Sequence, residues 1–126
     1  MKEKTMYQNP YAKYKTASTV TMTPLEILIA LYDKCIIECK KAAEFMDRGQ
    51  YIKSSESIRR VERIVDELRY ALDMKYDLSR NLRDLYIFYR TTLVDATRNK
   101  DSAAILYLVP HFEGLKESFQ KISAMV

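Results

Sequence analysis

Residues that break helices are scarce in this chain, with two Gly and three Pro among 126 residues. Sandwiches and barrels need a turn signal about every 8–12 residues, and the long stretches between so few breakers favour helix. Two glycines also leave no material for a Gly-rich phosphate cradle. There is no Trp, and the one His and two Cys are too few for most metal sites. Cys35 and Cys39 lie one helical turn apart, but as zinc ligands they would need two partners, and only His111 exists. A di-iron bundle needs Glu-x-x-His on two helices, and the residue three before His111 is Leu108. No nucleophile elbow is present, nor a His with an orienting carboxylate. These absences point to a binding or scaffolding module, not an enzyme, with no metal or cofactor and with two buried, reduced cysteines. No uncharged apolar run reaches 18 residues, and Met1-Lys2-Glu3-Lys4 lacks the apolar core of a signal peptide. The expectation is a soluble cytoplasmic protein without membrane insertion.

What is present is apolar material in helical register. The composition, 48% hydrophobic and 30% charged, suits one domain with a single core. Its net charge of +4 comes from 21 basic and 17 acidic residues that are interspersed: Arg59, Arg60 and Arg63 alternate with Glu62, Asp66 and Glu67. That is the pattern of a solvated helix face, and no nucleic-acid partner is expected. Thr23-Pro24-Leu25-Glu26 is a capping box that starts a helix running to about Arg48, with Gly49 placed to end it. Ile58, Val61, Val65, Leu68 and Leu72 mark a second helix over about 50–75, and Leu78, Leu82, Leu85 and Tyr89 a third over about 78–99. Asp101 is placed to cap a fourth, with a stripe through Ile105, Leu108, Phe112, Leu115, Phe119 and Ile122. Pro110 should bend or interrupt it. Short connections make neighbours antiparallel. The predicted fold is all-α, an antiparallel up-and-down four-helix bundle over residues 23–126.

Residues 1–22 differ in character and are predicted to form an N-terminal helical cap segment. Asn9 and Pro10 can start a short helix that places Tyr7, Tyr11 and Tyr14 on one face. Such a segment cannot hold helix alone, so it either docks on the bundle or is an ordinary tail. The first helix is apolar over more than one seam, and the second and third carry apolar residues beside theirs, including Ile87, Phe88 and Val94. Grooves between helices would accept an amphipathic partner helix. The candidate groove residues are Ile29, Ile36, Ile64, Leu68, Ala71, Leu72, Leu82, Leu85 and Tyr86. The same surplus could thicken a core or form a homodimer interface in the empty protein.

Several residues in order carry a resemblance. Asn9-Pro10-Tyr11 with Tyr14, then Met22-Thr23-Pro24-Leu25-Glu26 leading to Leu28 and Leu31-Tyr32-Asp33, resembles the flagellin-specific export chaperones of the FliS family. It continues through Glu67-Leu68, Leu72-Asp73, Asn81-Leu82, Leu85-Tyr86, Leu93 and Lys100-Asp101. Phe119, where the family commonly has Trp, and Pro110 depart from it. The resemblance implies a cytoplasmic four-helix bundle that holds the C-terminal segment of flagellin before type III export, preventing premature polymerisation. The sequence leaves open whether the chain also contacts an export gate component. In that picture Tyr7, Pro10, Tyr11 and Tyr14 form a lid over an empty groove. The competing reading is a generic helical adaptor or dimerisation module for another amphipathic partner.

Overall fold

The structure, a computed structural model, describes residues 22–125. Tyr7, Pro10, Tyr11 and Tyr14, which carry the predicted lid, lie outside the described residues. Among the described residues five helices follow one another: α1 (Pro24–Asp47), α2 (Tyr51–Tyr70), α3 (Asp77–Asn99), α4 (Ser102–Tyr107) and α5 (Val109–Met125). The last two form the fourth rod of the bundle.

Local chemistry sets the ends. Thr23 Oγ1 accepts the Glu26 N–H at 3.1 Å and the Glu26 carboxylate accepts the Thr23 N–H at 3.3 Å, so the capping box forms as predicted. At the other end Gly49 turns left-handed (φ 73°), and the Gln50 and Gly49 N–H groups reach back to the Phe45 and Met46 carbonyls. The same closure ends α3, with Lys100 as the left-handed residue (φ 52°). Asp101 then caps α4 through the Ala104 N–H at 3.1 Å.

Two boundaries differ from the sequence reading. α2 stops at Tyr70 rather than near Lys75. Asp73 is the reason, because its carboxylate accepts the Lys75 N–H at 3.1 Å and its carbonyl the Tyr76 N–H at 3.3 Å, folding the chain into a turn. Leu72 stays buried although it has left the helix. The fourth helix is cut at Leu108, two residues before Pro110, which has no N–H for the carbonyl four back. The cut lets Ile105, Leu108, Val109 and Phe112 all point inward while Leu106 and Tyr107 turn outward.

α1 packs against α2, α4 and α5 at once, and α3 packs against α2 and α4. This explains the width of the apolar arc on α1. Ile27 with Leu28, Leu31 with Tyr32, Cys35 with Ile36 and Ala42 with Ala43 are buried as adjacent pairs, one of each pair per flank. α3 buries a single seam, Leu82, Tyr86, Tyr89, Leu93 and Ala96. Polar contacts tie the rods in antiparallel register. Ser54 Oγ donates to the Ala42 carbonyl at 2.8 Å and Arg60 reaches Glu38 at 3.3 Å, joining α2 to α1. Arg90 of α3 holds Glu62 and Asp66 of α2. Across the bundle, the Tyr32 and Tyr86 hydroxyls meet at 2.5 Å inside the core, and Phe119 stacks on the Tyr32 ring.

Candidate functional site

Among the described residues a furrow lies between α1 and α5. It consists of two hollows that share one wall. Met22, Ile29 and Ala30 form the apolar side of the first, facing Gln120, Ser123 and Ala124 of α5. Ile36 and Ile37 form that of the second, facing Glu113, Glu117 and Gln120. Asp33 and Lys116 line both hollows, and their ion pair at 2.8 Å stands between them. Helical spacing accounts for this alternation. Residues 29, 33, 36 and 37 fall on one flank of α1, so a charged position sits one turn from apolar positions on either side.

Of the predicted groove residues, the structure brings Ile29 and Ile36 together in this furrow. Ile29 is half-buried and Ile36 closes the floor. Ile64, Leu68, Leu72, Leu82 and Tyr86 belong to the buried core, Ala71 is buried beside it, and Leu85 is half-buried against it. Asp33, Lys116 and Gln120 were missed, because a polar residue on a helix gives no periodic signal and Asp33 and Lys116 are 83 positions apart.

A second apolar area lies where α3 meets α4. Ile87, Phe88 and Val94, singled out in the sequence, are each about two-fifths exposed. The Phe88 ring continues through Tyr107 and His111, whose ring centroids lie 6.4 and 5.8 Å away. These rings form a ledge over Tyr89 and Phe112.

Burial dominates the titration of the buried thiols and of Tyr89. Burial, with lesser contributions from Cys39 and Glu38, holds the Cys35 thiol well above its usual pKa, and burial pushes Cys39 up to about 12. Both remain protonated at neutral pH, and a thiol is neither a nucleophile nor a good metal ligand. Burial likewise pushes the Tyr89 phenol up to about 12. Among the described residues no three His, Cys, Asp or Glu side chains cluster as a metal site would require. None of the described helices is long and apolar enough to cross a membrane. What the arrangement offers is a furrow with apolar residues along α1 and charged residues along both rims.

Comparison with known proteins gives a consistent result. Residues 7–126 match the family described as flagellar protein FliS. The flagellar secretion chaperone FliS of Bacillus subtilis (strain 168) is 24% identical over 114 residues, which cover 90% of this chain and 86% of that protein. A crystal structure described as a flagellar chaperone from bacteria has the same fold, with a TM-score of 0.77 at 23% identity over 92% of this chain and 96% of the other.

Proposed function

The chain belongs to the FliS family of flagellar secretion chaperones, and from that premise we propose that it binds the disordered C-terminal segment of flagellin in the cytoplasm before type III export. The observation that carries this reading is the α1–α5 furrow, whose apolar side is open among the described residues on a bundle that already has a core of its own. A disordered segment gains helix by laying an apolar stripe into such a channel. Filament subunits associate head to tail, a contact that propagates without closing, so occupying one end of a subunit stops growth. Ordering the client on binding costs about 2–5 kcal/mol of the gross interaction, which keeps release possible.

Residues 1–22 are proposed as a cap segment whose Tyr7, Pro10, Tyr11 and Tyr14 compete with the client for the bundle surface. An export gate component is a further proposed partner, and homodimerisation of the empty protein a further proposed state. The test is capture of flagellin by the immobilised full chain. Intact flagellin should be retained, flagellin lacking its C-terminal segment should pass through, and removing residues 1–16 of the chaperone should tighten retention. Equal capture of truncated and intact flagellin would instead support a general helical adaptor.

A further inference from the structure

Resting on the reading of the furrow as a client seat, we infer that it takes an amphipathic helix of defined pattern, with two apolar anchors two turns apart and basic flanks. The spacing is set by α1. Ile29 lies in one hollow and Ile36 in the other, so their separation along the axis is about 10 Å. A helix laid alongside matches this with apolar residues at i and i+7. Between the anchors it passes over the Lys116–Asp33 ion pair, whose side chains are 29% and 46% exposed. The client positions at i+3 and i+4 are therefore polar, since an apolar group there would strip water from two charges.

The sign of the flanks follows from the furrow's own charge. Glu26, Asp33, Glu113 and Glu117 face Lys40 and Lys116, with Glu117 also paired to Lys121 at 3.3 Å. Carboxylates outnumber cations in this lining, and Glu113 stands out among them. Glu113 is exposed and makes no ion pair among the described residues. A basic helix is drawn to this strip, which fixes both where it lands and its register.

The probe is a designed helical peptide of about 16 residues, with Leu at i and i+7 and Lys on the flanks, paired with a counterpart carrying Glu in place of Lys. Both are titrated into the full-length protein at physiological ionic strength. The Lys peptide should bind at least about tenfold more tightly. The double variant Glu113→Lys/Glu117→Lys, altering two exposed positions of α5, should reverse the preference. Ala30→Trp, which fills the exposed edge of the first hollow, should weaken the Lys peptide at least about tenfold without lowering the melting temperature. Equal affinities for the two peptides, no reversal in the double variant, or no effect of Ala30→Trp would overturn the inference. The flagellin C-terminal segment is titrated in parallel. If it binds and ignores Ala30→Trp, the client reading stands and the furrow assignment falls. If it fails to bind while the designed peptides behave as expected, the furrow stands and the flagellin reading falls.

Discussion

Truncating Phe112 to alanine is expected to destabilise the protein by about 3–5 kcal/mol, the range for removing a buried aromatic side chain from a packed core. Phe112 is fully buried, and its ring lies 4.9 Å from that of Tyr89, so the truncation leaves a void and also removes an aromatic pair. The position is sensitive for a further reason. Phe112 sits in the first turn of α5, just after the break at Leu108, and its N–H bonds the Leu108 carbonyl at 3.1 Å. Its ring and that of His111 both meet Tyr89 and so hold the resumed helix against α3. Against a typical total of about 5–15 kcal/mol, such a loss leaves a marginal fold. Urea unfolding should show a lower midpoint with an unchanged slope. A loss below about 1 kcal/mol would mean that this turn does not pack as described.

The second large effect is expected at Glu38, a carboxylate with 1% of its side chain exposed and three cations around it. Lys34 lies at 2.8 Å, Arg60 at 3.3 Å and Lys41 at 3.7 Å. Glu38→Lys puts a fourth positive charge where three converge and removes the α1–α2 tie through Arg60. A cost of about 3–5 kcal/mol is expected, as for breaking a buried pair. Glu38→Met should cost far less, because Lys34, Lys41 and Arg60 are each about half exposed and can turn to water. Comparable losses for Met and Lys would show that geometry, not charge, governs the site.

The same carboxylate makes a pH signature. Burial raises its pKa, but the hydrogen bond from Lys34 and the charges of Lys34 and Lys41 outweigh burial and hold it below the ordinary 4.5. A lowered folded-state pKa contributes stability above the ordinary value, and that contribution is lost as pH falls through the folded one. Glu38→Gln should therefore be less stable than the parent at pH 7, and the gap should close under strongly acid conditions. Glu62 works the other way, because burial raises its pKa despite Arg90. The difference between parent and Glu38→Gln isolates the Glu38 contribution.

Much of the fold was legible because its signals are local. The capping box at Thr23, the left-handed closure at Gly49 and the cap at Asp101 each depend on residues a few positions apart, and the structure forms all three. The end of α2 was misplaced because Leu72 keeps the apolar rhythm after the helix has stopped. The turn is set by the Asp73 side chain, which periodicity does not register. The site was harder to read. Stripes show which faces are oily but not which partner each one meets. Leu68 fills the core because α2 packs along α1, and Tyr86 because its hydroxyl meets that of Tyr32 across the bundle. Ile29 and Ile36 line a furrow because α5 lies beside their flank of α1. That adjacency is a property of the assembled bundle, and no short stretch of sequence encodes it.

The account depends on a client helix leaving water for the outside of a finished bundle. Calorimetric titration of the full chain with a peptide of the last several tens of flagellin residues, repeated at several temperatures, tests this most directly. The account predicts a single site per chain and a binding heat that becomes more negative on warming, the mark of apolar surface leaving water. No heat at high micromolar peptide, or binding with no heat-capacity change, would contradict it.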